Sequence, residues 1–255
     1  MNIIDTHTHL YLNQFKEDID LVINRSKEIG VKKFIFPAID SSHCKDMHSL
    51  KDKYPDCIYL MSGLHPTDVK ENYKDELDFV VNSLKNQDYV AIGEIGIDLY
   101  WDKTFLKQQQ EAFEFQIRLA IKHDLPIVIH CREAFDEIFE ILDKENCDKL
   151  RGVFHCFTGT LDQAQRAIDL GFFLGIGGVV TFKNGGIDKF LNQIDLKHLV
   201  LETDAPYLAP VPFRGKRNES SYIIHVVEKL SEIYGLSKEE IADVTTKNAE
   251  KVFAL

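Results

Sequence analysis

The stretch NIIDTHTHL, residues 2–10, opens as a short apolar strand and closes with His7 and His9 two positions apart. Side chains two apart on a strand point to the same face, roughly 7 Å from one another. Two imidazoles on one face can converge on a single ion, which needs Zn–N bonds of roughly 2.0–2.1 Å. Such a pair is half of a metal site, so the fold has to provide a concave place where other ligands meet it.

Seven further apolar runs follow. Strands are expected near residues 3–5, 33–37, 58–62, 90–94, 127–130, 152–156, 172–176 and 199–202, with helical patterns between them. In FKEDIDLVINRSKEIG, residues 15–30, the side chains of Phe15, Ile19, Val22 and Ile23 share one face, and Gly30 stops the helix. In TFLKQQQEAFEFQIRLAIKHD, residues 104–124, the expected buried face is Phe105, Ala112, Phe115 and Leu119, with Thr104 as N-cap. Eight strands alternating with helices over 255 residues point to an α/β fold, a (β/α)8 TIM barrel occupying residues 1–255 as one domain. The alternative is an open doubly wound sheet, and no G-x-G-x-x-G turn follows the first strand to support it. One loop stands out: APYLAPVPFRGKRNESS, residues 205–221, is rich in proline and glycine and locally basic.

Composition narrows the class. The hydrophobic fraction is 44% and the charged fraction 28%, which fits a globular chain. No apolar run reaches the length of a membrane span, and no basic-then-apolar leader opens the chain, so neither a membrane location nor secretion is expected. The five cysteines are odd in number and form no CxxC, which predicts free thiols and a cytoplasmic setting. The net charge of −11 excludes broad electrostatic attraction to nucleic acid. An anionic substrate would therefore need a local reversal of the field.

Barrel enzymes carry their chemistry at the C-terminal ends of the strands. His7 and His9 end the first strand, Glu94 the fourth in AIGEIGID, His130 the fifth in PIVIH and His155 the sixth in GVFHCF, while Asp204 follows the eighth in LVLETDAP. An HxH pair alone is weak evidence, but six such groups at strand ends are not explained by packing. Six ligands exceed the needs of one tetrahedral zinc and suit two divalent ions sharing a carboxylate, with Glu94 as the bridge. Imidazoles favour zinc, and the carboxylates keep Mg²⁺ and Mn²⁺ open. Two such cations would reverse the local field. Asp204 is the expected acceptor of a proton from the attacking water. Glu202, two residues earlier, is expected to orient a ligand histidine. Gly93 and Gly96 are expected to allow close backbone approach around Glu94. Arg132 in HCRE and Arg214 in PFRGKRN are candidate phosphate contacts, against the plainer reading of Arg132 as a surface ion pair with Glu133 or Asp136. Tyr207 and Trp101 are aromatics that can stack on a base.

The blocks DTHTHL, GLHP, AIGEIGID, IVIHCREAFDE, HCFTG, ETDAPYLAP, PFRGKRN and TTKNAEKVF occur in this order along almost the whole chain. With them the chain resembles the TatD family of metal-dependent deoxyribonucleases, within the amidohydrolase-like barrels. The resemblance implies one ion among His7, His9, Glu94 and Asp204, and a second among Glu94, His130 and His155. It also implies a phosphate contact at His65 in GLHP, where a plain turn cap before Pro66 is the rival reading. The substrate so implied is DNA, cleaved 3′ to 5′ from single strands or chain ends. One departure is visible, since Ser220 follows Glu219 where the family pattern has proline, and the geometry of that loop is open.

Two other functions fit parts of the pattern. A metal-dependent amide or ester hydrolase, such as an aminoacyl-tRNA deacylase or a dihydroorotase-like enzyme, shares the HxH strand. Dihydroorotase-like sites often bridge their metals with a modified lysine, where this chain has Glu94. A barrel that only binds a ligand would have no need of the full ligand set.

Overall fold

Each of the eight apolar runs becomes one strand of a single parallel sheet. The strands are β1 (Ile3–Asp5), β2 (Val31–Phe36), β3 (Ile58–Ser62), β4 (Ala91–Asp98), β5 (Ile127–Arg132), β6 (Gly152–Phe154), β7 (Phe172–Ile176) and β8 (Leu199–Leu201), arranged in that order. The computed structural model describes residues 1–85, 88–100 and 102–255. The sheet closes on itself where Thr6 N donates to Leu201 O at 3.0 Å and Thr8 bridges Ala205. The fold is a (β/α)8 barrel.

Helices α1 (Ile19–Glu28), α2 (Cys44–Lys53), α3 (Tyr73–Ser83), α4 (Leu106–His123), α5 (Phe135–Glu145) and α6 (Leu161–Asp169) follow the first six strands in turn. The seventh crossover holds only short 3₁₀ turns. Two helices, α7 (Ile223–Tyr234) and α8 (Lys238–Phe253), follow β8. Tyr234 at the end of α7 donates its hydroxyl toward Leu191 O and Ile194 O, tying α7 to those turns. Capping boxes start two of the helices, Thr160 with Gln163 at α6 and Ser237 with Glu240 at α8. No described helix is long and apolar enough to cross a membrane, and all five cysteines are free.

The barrel interior begins as a dry layer. Ile4, Ile35, Met61, Ala91, Val128, Val153, Phe173 and Val200 give one side chain per strand, and Ala249, Val252 and Phe253 of α8 close this layer from below. The larger core lies between strands and helices.

Three expectations change. β4 runs on to Asp98 rather than stopping at Glu94. The N-cap of α4 is Phe105 with no side-chain cap bond, and Thr104 instead bonds through its N–H to Asp102. On α4, Phe113 and Ile117 are fully buried while Phe115 is exposed. The buried face of this helix also includes Gln109 and Gln116, so its true stripe does not stand out in a hydrophobic pattern.

Candidate active site

The site is organised by a bulge. β4 pairs Gly93 with Val128 and then Ile95 with Ile129, so Glu94 has no partner on β5. Such an extra residue bends the strand and re-aims a side chain. The glycines make the close approach possible. A Cβ on Gly93 would lie 2.8 Å from Val128 Cβ, and one on Gly96 would lie 2.0 Å from the His130 carbonyl oxygen. Gly96 also has a φ of 144°, which L side chains rarely adopt.

Around Glu94 the strand ends converge. Its Oε2 lies 3.0 Å from His7 Nε2 and 3.8 Å from His9 Nε2. Its Oε1 faces a different set, with His130 Nδ1 at 2.7 Å, His155 Nε2 at 3.2 Å and His65 Nε2 at 3.3 Å. Asp204 Oδ1 stands 3.5 Å from His9 Nε2 and 3.8 Å from His7 Nε2. Asp204 reaches this place from a left-handed backbone conformation, φ 55°, just beyond β8, with its N–H bonded to His7 O. All six residues expected from the strand ends are thus brought together. His65 joins them and also caps its own turn, since Thr67 N donates to His65 Nδ1 at 3.1 Å.

The donor set fits divalent cations. Two atoms bonded to one tetrahedral zinc at about 2.0–2.1 Å stand roughly 3.4 Å apart, close to most of these separations. Three buried side-chain atoms lack a hydrogen-bond partner among the described residues: His7 Nδ1, His7 Nε2 and Glu202 Oε2. A buried imidazole with neither nitrogen bonded is costly unless a ligand completes it.

Outer residues set which nitrogen each ring presents. Tyr11 donates its hydroxyl to Pro37 O at 2.7 Å and so accepts from His9 Nδ1 at 2.8 Å, leaving His9 Nε2 toward the centre. Glu202 Oε1 lies 3.2 Å from His155 Nδ1 and accepts from Cys156 N at 2.7 Å. Asp98 Oδ2 holds His130 Nε2 at 2.8 Å. Two glutamines, seven residues apart on α4, fix the strand ends themselves. Gln109 bonds both the N–H and the carbonyl of Asp98, and Gln116 does the same for Leu64, next to His65. Tyr11, Asp98 and the two glutamines escaped the sequence reading. The i, i+7 spacing of glutamines on α4 is the one signal that could have been used.

Charge is strongly shifted here. Burial alone would raise the Glu94 carboxyl, but His155, His65 and His7 outweigh it and hold it well below the usual range. Burial also opposes ionisation of Asp204, and the His9 hydrogen bond with the neighbouring imidazoles reverses that, so its pKa is lowered. His155 is buried, yet Glu94 and Glu202 lift it well above an ordinary imidazole. His130 is buried too, and its bonds to Asp98 and Glu94 raise it. His7 is pushed down by burial and by His155. A field that favours a proton on His155 and His130 also favours a divalent cation beside them.

The rim residues stand apart from this cluster. Arg132 is exposed and its guanidinium lies over the Tyr100 ring, 3.7 Å from the centroid. Arg214 is exposed and stacks over Phe182 at 3.5 Å. Tyr207 meets His9 edge-on at 6.0 Å. Trp101 lies outside the described residues. The loop with the unexpected Ser220 is well anchored. Arg217 bonds Asp18, Glu219 bonds Arg25, and Asn218 bonds Thr203 O and Tyr207 O. Ser220 itself is buried, with its hydroxyl 3.3 Å from Thr8 Oγ1.

Comparison with known proteins agrees with this arrangement. Residues 4–254 match the family described as TatD related DNase. The chain is 38% identical over 254 residues to the metal-dependent hydrolase YabD of Bacillus subtilis, covering 99% of each protein. It is 33% identical over 258 residues to the 3′-5′ ssDNA/RNA exonuclease TatD of Citrobacter rodentium, covering 98% of this chain and 97% of that one. The crystal structure of YJJV, a TatD homologue from Escherichia coli, superposes with a TM-score of 0.93 at 30% identity, over 99% of this chain and 98% of the other. The chain belongs to the TatD-related DNase family of metal-dependent hydrolases.

Proposed function

We propose that this protein is a two-metal phosphodiesterase that removes nucleotides from the 3′ ends of single-stranded DNA. The observation that carries this reading is the split around Glu94, whose Oε2 addresses His7 and His9 while its Oε1 addresses His130 and His155. One cation would be held by His7, His9, Glu94 and Asp204, and a second by Glu94, His130 and His155, with zinc, Mg²⁺ and Mn²⁺ as candidates. When bound, the ions would supply an activated water and neutralise phosphate oxygens.

The remaining steps belong to the chain. Asp204, a lowered carboxylate open enough to meet solvent, accepts the proton of the attacking water. His65 contacts a phosphate oxygen through Nε2, which faces the centre 3.3 Å from Glu94 Oε1, while its Nδ1 is engaged by Thr67. Arg132 and Arg214 hold neighbouring phosphates from the rim. The DNase name of the family and the exonuclease activity named for the Citrobacter relative support the substrate.

The test is a 5′-labelled single strand, DNA or RNA, incubated with protein whose metal content has been measured. Stepwise shortening from the 3′ end of DNA, stopped by chelator and restored by Mg²⁺, Mn²⁺ or Zn²⁺, is the expected outcome. Intact strands at every metal, with turnover of a small amide or ester instead, would overturn the proposal.

A further inference from the structure

The mouth of the barrel leaves an unusual set of side chains in water. Among the described residues, large exposed apolar or aromatic side chains include Tyr100, Tyr207, Leu208 and Val211, all on the loops after β4 and β8. Tyr100 is 49% exposed, beside 48% for Tyr207. Its ring carries the Arg132 guanidinium at 3.7 Å, the distance of a face-to-face stack. This column is fastened to the centre. Tyr100 N donates to Asp98 Oδ1 at 3.0 Å, and the other oxygen of Asp98 holds His130. Arg132 comes two residues after His130 at the end of β5.

We propose that the Tyr100–Arg132 column is a subsite for one unpaired nucleobase of the strand being cleaved. The inference rests on the phosphodiesterase reading above. A phenol ring offers the same flat face to every base, so binding there is tolerant of sequence. A stacked guanidinium keeps its N–H groups in its own plane, pointing away from the ring and toward a backbone phosphate. A single rim site can therefore hold a base and the adjoining phosphate together. A base inside a duplex already has both faces covered, so the column selects unpaired strands. Tyr207 is less suited to this role, because its ring stands edge-on to His9. Tyr100 was not among the aromatics that the sequence pattern singled out.

The experiment compares two strands of equal length, an oligothymidylate and one made of abasic residues, on metal-loaded enzyme. The phosphates are the same and only the bases differ. Tyr100→Ala is expected to raise KM for the oligothymidylate about tenfold, the scale of one base–aromatic stack. KM on the abasic strand rises clearly less, because only the Arg132 phosphate contact is loosened there, and measured metal content with an unchanged circular dichroism spectrum shows that the variant is loaded and folded. Tyr100→Phe keeps wild-type KM on both, because the ring rather than the hydroxyl makes the stack. An unchanged KM for Tyr100→Ala on oligothymidylate, or an equal rise on both strands, overturns the subsite while leaving the phosphodiesterase reading intact. Wild-type enzyme that neither binds nor cleaves either strand overturns both.

Discussion

The two ends of the barrel are made from the same strands and hold opposite chemistry. At the lower end every strand contributes an apolar side chain, and Phe253 seals the layer. At the upper end five imidazoles crowd one carboxylate, and the unpartnered buried side-chain atoms of the described residues all lie there. On three strands the change takes one step. Val128 lies in the dry layer and His130 is two residues on; Val153 is followed in the same way by His155, and Val200 by Glu202. Because alternate residues share a face, these pairs are stacked one above the other. Stability and reactivity are separated by about 7 Å along the pleat.

Four substitutions test this division. Glu94→Ala strikes the upper end alone. Turnover should fall by more than about a hundredfold, beyond what loss of an outer partner costs, and metal content should drop, read by elemental analysis beside a nuclease assay. The unfolding midpoint of the chelator-treated protein should not fall. Phe253→Ala strikes the lower end alone, opening a cavity under the dry layer. It should cost about 3–5 kcal/mol in urea titration, while metal stoichiometry and KM stay at wild-type values. If Phe253→Ala releases metal, the two ends are coupled and the division fails.

Tyr11→Phe sharpens the picture within the upper end. It removes the acceptor that fixes the His9 tautomer, and metal affinity should weaken about tenfold in competition with a chelator. Arg25→Ala tests the anchor of the loop beyond β8. Burial works against the Glu219 carboxylate, but its bonds to Arg25 and Ser221 keep its pKa lowered. A lowered carboxyl stabilises the fold above its unfolded pKa, and that stability is lost as pH falls through the folded value. The variant should therefore lose about 1 kcal/mol at neutral pH, the scale of one partly exposed charge pair. The gap to wild type should close below about pH 4, as followed by denaturation at several pH values.

Much of the molecule is legible in the chain itself, and the reasons are local. All eight strands announce themselves as short apolar runs because a barrel strand is covered on both faces. The central histidines and acids are legible because polar groups at the ends of such runs are rare without a task. Asp98 is hidden because the fourth strand is expected to end at Glu94, four residues short of its true end. Tyr11 carries no signal in the chain itself, and only the Pro37 carbonyl opposite it reveals its purpose. Phe115 was placed inside because α4 has aromatic residues on more than one side and buries two glutamines, which blurs its stripe.

The bulge in β4 has a wider effect than re-aiming one carboxylate. Before it, odd-numbered Ala91 faces the lumen and even-numbered Ile92 faces the helices; after it, odd-numbered Ile95 and Ile97 face the helices. The extra residue reverses the parity of the strand, so that even-numbered Asp98 comes to face inward beside His130. Without the bulge, and with every residue kept, an unbroken alternation from Ala91 would turn both Glu94 and Asp98 outward into the helical shell. A count of one amino acid thus decides whether the fourth strand contributes two acids to the centre or none.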